Sequence, residues 1–287
     1  MKRSVLQREI AWRVFNPNLR TLPASMVALR SGQKGRWPVM TPLAQRLLSE
    51  WRENGKRWER FAKKAGGTGL QVWNPALYAI HTFQEYLTRF PPDPHAILAL
   101  GLNPGPYGMA QTGIPFTDCR TARHELGIEI AVPGLAPADL VARLKKPNGK
   151  WRMTYERSSL GIYRFLMRAW GDLHTAYRNW FVGNPCPLLF LDSTGRNVTP
   201  ADPRLRRMKE VGELRRHAVI AFSNILHPRG IVCLGRDVTE AVGKVAIRQV
   251  GRSNVVFYEH PARAAPERWA AGLLRELTQR GILSAKV

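Results

Sequence analysis

Four short apolar runs, at residues 96–102, 180–182, 230–234 and 255–258, recur along the chain with helix-like stretches between them. Runs of this length, bounded by turn residues, read as buried strands. Helical spacing falls at 78–90, 160–170, 205–226 and 266–280, where Pro266 suits a helix start and Gly281 a stop. Such alternation predicts an α/β fold of three layers, a mostly parallel central sheet flanked by helices. In sheets of this kind the ligand site lies beyond the carboxyl ends of the strands. The residues that follow each apolar run are therefore the first place to look for chemistry.

Charge adds a second constraint. The 287 residues carry 44 Lys and Arg against 21 acidic side chains, a formal net charge of +23. With 44% hydrophobic residues the chain is globular in composition, so the excess sits on a folded surface. A polyanion, most often a nucleic acid, is the expected partner; a merely solvated basic surface is the plainer alternative. Residues 1–68 hold 15 basic and 4 acidic side chains, an excess of +11, together with Trp12, Trp37, Trp51 and Trp58. Within them, Thr41 can cap a helix that Pro42 begins, and Leu43, Leu47, Trp51, Trp58 and Phe61 keep helical spacing as far as Gly66-Gly67. The expected organisation is a basic, partly helical N-terminal extension at 1–69 and a main α/β domain at 70–287. The tryptophans are expected to pack on the main body. Lys56, Arg57, Arg60, Lys63 and Lys64 are left toward solvent, able to meet phosphates.

Several classes are disfavoured. No stretch approaches 18 uncharged apolar residues, so no membrane span is expected. The start, MKRSVLQREIAWR, lacks the apolar core of a secretory signal. An intracellular monomer, in the cytoplasm or nucleoid or in a eukaryotic nucleus, is the expectation. Cys119, Cys186 and Cys233 form no CxxC pair, too few for a disulfide framework, a four-cysteine iron–sulfur site or a structural zinc site. No metal and no cofactor is expected.

Two strand ends carry unusual sequence. After the run at 96–102 comes a loop beginning Asn103-Pro104-Gly105-Pro106-Tyr107-Gly108 and ending at Phe116, with three glycines and three prolines in fourteen residues. That composition fixes a backbone path. An Asn-Pro pair alone would more simply be a turn in which Asn103 satisfies backbone groups. After 255–258 comes Glu259-His260-Pro261, and a lone histidine at a strand end is more often structural than catalytic.

Taken together these motifs are specific. The string GLNPGPYGMAQTGIPF at 101–116 closely resembles the first motif of the single-strand-selective monofunctional uracil-DNA glycosylases, in the uracil-DNA glycosylase superfamily. Val72-Trp73-Asn74-Pro75 with Tyr78 resembles the family's entry segment. Trp180-Phe181-Val182-Gly183-Asn184-Pro185-Cys186-Pro187-Leu188 resembles its middle strand, and 195–201 and His260-Pro261 complete the set in register. The resemblance spans about residues 72–283 and implies a uracil-DNA glycosylase-like fold. It implies a monofunctional DNA glycosylase that flips out uracil or a 5-modified pyrimidine and hydrolyses its N-glycosidic bond. The product would be an abasic site for base excision repair.

Residue by residue, the resemblance implies that Asn103 positions the hydrolytic water and that Phe116 stacks on the flipped base. It implies that Asn184 reads the uracil edge, that Gly105 and Met109 line the base pocket, and that His260 stabilises the departing anion. The loop after His260-Pro261 would enter the DNA, which makes Arg263 to Arg268 the DNA-binding wedge. No lysine lies in the matched motifs, so no Schiff-base lyase step is expected. The partner would be DNA, single- or double-stranded.

Three departures bear on specificity. The stretch 262–269 is shorter than in the family, Thr117 stands where a glycine commonly follows the stacking phenylalanine, and Pro185 follows the reading asparagine. They leave open a glycosylase retuned to bulky modified pyrimidines such as those of phage DNA. A non-catalytic nucleic-acid-binding relative is the other alternative.

Overall fold

The apolar runs become the parallel sheet. In the computed structural model, residues 39–130, 135–145 and 156–284 are described. The strands are β1 (Gln71–Trp73), β2 (Ile97–Leu100), β3 (Trp180–Gly183), β4 (Leu189–Leu191), β5 (Asn197–Val198), β6 (Ile231–Leu234) and β7 (Val255–Tyr258). Four of them form an all-parallel sheet in the order β3-β2-β6-β7. Leu98 sits opposite Phe181 on one side and Ile231 on the other. β2, β3 and β6 are buried throughout, which is why each reads as a continuous apolar run without alternation.

Helices α1 (Pro42–Ala65), α2 (Ile80–Arg89), α3 (Met109–Thr112), α4 (Arg157–Trp170), α5 (Lys209–Leu226), α6 (Arg236–Val250) and α7 (Pro266–Gln279) are the elements that frame this sheet and its loops. Successive β3 side chains point to opposite faces. Trp180 meets Phe165 of α4 at 4.8 Å between ring centroids, and Phe165 meets Trp269 of α7 at 6.4 Å. Phe181, on the other face, meets Phe222 of α5, which lies 6.1 Å from Trp51 of α1. Trp51 in turn stacks on Phe83 of α2 at 4.4 Å. One face is thus covered by α4 and α7 and the other by α1, α2 and α5.

The structure revises the expected organisation. α1 starts where the sequence suggests, with Ala44 N–H donating to Thr41 Oγ1 at 3.2 Å and Pro42 in the first turn. Its buried face, including Leu47, Trp51, Trp58 and Phe61, belongs to the core, so the compact unit runs from Val39 rather than from residue 70. Burying two tryptophans ties the helix far too strongly for an appendage. Residues 1–38, with Trp12 and Trp37, lie outside the described residues. Of the five cations expected to face solvent, Lys56, Arg60, Lys63 and Lys64 are exposed, and Arg57 alone departs from the expectation. Lys56 pairs with Glu53, Arg57 with Glu50 and Lys64 with Glu210, and Arg57 is half-buried.

A second, antiparallel sheet of three strands in the order β1-β4-β5 was not legible from the pattern. The helix expected over 205–226 is interrupted, a turn at Pro203–Arg206 preceding α5. The helix expected over 78–90 breaks at Ala79, with Pro75–Tyr78 a separate turn before α2.

Candidate active site

Because the sheet is parallel, β2, β3 and β7 deliver their following residues to the same edge: Gly101 to Asn103, Asn184 and His260. Gly101 is the meeting point. A Cβ there would collide with Asn184 Oδ1 and with the edge of the Phe116 ring, so only glycine lets the two side chains converge. Gly101 heads the proline-rich string, and its strand-end position was the signal that could have singled it out.

Phe116 holds a left-handed backbone, φ 51°, unusual for an aromatic residue. Thr112 pins the turn around it. Its Oγ1 accepts from Ile114 N–H at 3.1 Å and donates to Thr117 O at 2.8 Å, while Thr117 N–H donates to Ile114 O. A strained conformation fixed from both sides is what a preorganised platform requires. The Phe116 ring is half-buried and lies 5.9 Å from the His260 ring.

Asn184 is 2% exposed. Its Nδ2 donates to Met109 Sδ at 3.1 Å, and its Oδ1 is buried with no hydrogen-bond partner. A buried unpaired acceptor costs stability, on the order of 1–3 kcal/mol. The orphan is therefore a group held ready for a donor. Asn103 is half-buried, and its Nδ2 donates to Leu188 O at 3.3 Å and to Pro104 O at 3.4 Å. The plainer reading of that asparagine is thus also met: it braces its own loop against the 184–188 segment, and only its amide nitrogen is used.

His260 is half-buried, and its position is set from three sides. Trp269 Nε1 donates to Glu259 O at 2.9 Å, Gly161 of α4 admits Pro261, and Gly235 packs on the imidazole's own Cβ. Ala262 N–H donates to Nδ1 at 3.2 Å. A backbone N–H can only donate, so Nδ1 is unprotonated and the ring proton lies on Nε2. Burial, and secondarily the Arg263 cation, push the imidazole below its ordinary value, against the Asp237 carboxylate. The ring is neutral near pH 7.

Phe116, Asn184, Met109 and His260 therefore form one cluster around Gly101, with Asn103 and Gly105 on the adjoining loop. Arg263 ends a short 3₁₀ turn and Arg268 lies in the first turn of α7; both are exposed. Lys63 and Lys64 lie in the last turn of α1 and are exposed. Sequence reasoning missed Trp58, whose Nε1 donates to Pro185 O at 3.0 Å and so braces the residue after Asn184. It also missed Glu156, whose carboxylate lies against Gly105 and Gly108. Neither carries a local signal, because each meets the site only through the fold. No group of metal-binding side chains occurs among the described residues.

The sequence matches no protein-family model. It is 31% identical over 218 residues to the single-strand selective monofunctional uracil-DNA glycosylase of Rattus norvegicus, covering 74% of this chain and 76% of the rat protein. The chain belongs to that glycosylase family. The namesake from Bos taurus is also 31% identical, over 74% of this chain and 78% of its own length. A solved structure of SMUG2 from Pedobacter heparinus superposes with a TM-score of 0.58, at 22% identity, over 75% of this chain and 89% of that one. The shared fold is the three-layer α/β arrangement. The glycosylase family's first motif corresponds to the β2 end and the loop through α3, where the cluster around Gly101 is built.

Proposed function

We propose that this protein is a monofunctional uracil-DNA glycosylase of base excision repair, releasing uracil from DNA and leaving an abasic site. The observation that carries the reading is the orphaned Oδ1 of Asn184, buried beside Phe116. A base inside a duplex cannot reach such a pocket, so it must be extruded and held by stacking and edge contacts. Phe116 supplies the stacking face. Uracil N3–H donates to Asn184 Oδ1, while Nδ2 keeps a second N–H for the O4 carbonyl. Met109 Sδ, accepting the first N–H, fixes the amide in that orientation. Cytosine, with an acceptor at N3, would set two lone pairs against each other.

Cleavage builds positive charge on the sugar and negative charge on the departing base, as in glycoside hydrolysis. The N1–C1′ electron pair passes into the uracil ring, and His260 Nε2–H donates to the O2 on which that charge develops. A neutral donor aimed at developing charge stabilises the transition state selectively. Asn103 orients the water that adds its oxygen to C1′; the water's proton passes through solvent to the departing uracil anion, giving neutral uracil and the abasic sugar. Arg263 and Arg268 meet the DNA around the extruded nucleotide. The protein acts as a monomer on single- and double-stranded DNA.

The test is a uracil-bearing oligonucleotide, single-stranded and paired, incubated with the protein and then with alkali. Strand breaks at the uracil that are absent without enzyme, and that fall away with His260→Ala, are the expected result. No alkali-labile site in either substrate overturns the reading.

A further inference from the structure

The loop that carries Asn103 has an anionic anchor on its far side. Glu156, immediately before α4, is half-buried, and its two carboxylate oxygens occupy the space that a Cβ on Gly105 and a Cβ on Gly108 would need. Those two glycines, three residues apart in the loop, are thus required by the carboxylate as much as by the turn. Peptide N–H groups of Tyr107 and Gly108 donate to the carboxylate, and Ser158 Oγ donates to it at 3.2 Å. The Glu156 N–H donates in turn to Asp118 Oδ2 at 2.9 Å, and Asp118 follows the Phe116 turn by two residues. One residue therefore connects the Asn103–Gly108 loop through its carboxylate and the Phe116 turn through its backbone N–H, at the start of α4.

We propose that Glu156 is a positioning residue for base excision: ionised, it clamps the peptide N–H groups of Tyr107 and Gly108 and so holds Asn103, Gly105 and Met109 in register. The inference rests on the glycosylase reading above. The groups facing Glu156 are the Asp118 carboxylate, the Ser158 hydroxyl and the two loop N–H groups. Burial, with the Asp118 charge adding to it, raises the carboxyl to about 7, while the three hydrogen bonds pull the other way. The clamp therefore changes charge within the working pH range. A neutral carboxyl offers these N–H groups a weaker acceptor than a carboxylate does.

Linkage gives stability the opposite sign. A carboxyl raised above its unfolded value stabilises the fold fully below about 4.5 and loses that contribution as pH rises through about 7. The ionised state is thus kept at a cost in stability, which fits a positional role and not a purely structural one.

Glu156→Gln has the shape of the neutral acid and cannot ionise. In single-turnover uracil release between pH 5.5 and 8.5, the ratio of wild-type to E156Q rates should rise from near one to about ten-fold or more. That is the scale of one weakened charge-assisted hydrogen bond. Titration of His260 occurs in both enzymes and cancels in the ratio. The melting temperature of E156Q relative to wild type should rise between pH 5.5 and pH 8.5, since the wild-type contribution is lost across that range. A ratio that is flat with pH while wild type releases uracil overturns the Glu156 proposal alone. Wild type that releases no uracil at any pH overturns the glycosylase reading instead.

Discussion

Asn103 and His260 contribute through different atoms, and their variants should separate binding from chemistry. Asn103→Ala and His260→Ala should each slow single-turnover uracil release by about 10²–10³-fold, the usual effect of one transition-state donor. Affinity for the oligonucleotide should change little, because phosphate contacts dominate it. Titration of binding by fluorescence anisotropy beside the rates checks both halves; a parallel loss of affinity and rate would contradict the assignment. Part of this site was legible in the sequence because family motifs are contiguous: Asn103, Gly105, Met109 and Phe116 lie in one string. The tautomer of His260 was not, since it depends on the N–H of Ala262 after a turn whose geometry no spacing reveals. Nor was Glu156, which reaches the loop only because α4 folds beside it.

Among the elements, β2, β3 and β6 were legible because each is buried throughout and so reads as an apolar run. β7, half-buried at Phe257 and Tyr258, was still legible as four β-branched or aromatic residues in a row. The second sheet was not: β1, β4 and β5 are two or three residues long, below the length at which a period can be recognised. α6 also escaped notice, its buried Val238, Val242 and Val245 being β-branched residues of weak helix preference. α1 was recognised as a helix and misplaced as an appendage, because amphipathic spacing tells which face is buried and not against what. Its Trp58 gives the element a role at the site. Trp58→Phe keeps the ring but leaves the buried Pro185 carbonyl without its donor, which should cost about 1–3 kcal/mol. Denaturant unfolding checks the loss, and uracil release measured well below the transition should also slow, because the Asn184 segment loses its brace. Full stability would show that the bond to Pro185 contributes nothing.

For the molecule as a whole, the +23 charge has to be divided between solubility and binding. Lys56, Arg60, Lys63 and Lys64 are all exposed on α1; Lys56 and Lys64 carry carboxylate partners, which leaves Arg60 and Lys63 as the simplest pair to test. Each phosphate contact adds about 0.9 to the slope of log affinity against log salt on duplex DNA. Converting Arg60 and Lys63 to glutamine should flatten that slope by one to two such increments and leave uracil release at saturating enzyme unchanged. An unaltered slope would assign these charges to solubility.

The central claim is that the pocket reads the uracil edge through an Asn184 amide held by Met109. It is tested most directly by single-turnover release from one oligonucleotide sequence bearing uracil, cytosine or 5-hydroxymethylcytosine at the same position. The account predicts release of uracil and none of either cytosine, with uracil release reduced to background in Asn184→Ala. Release of a modified cytosine without release of uracil would contradict it.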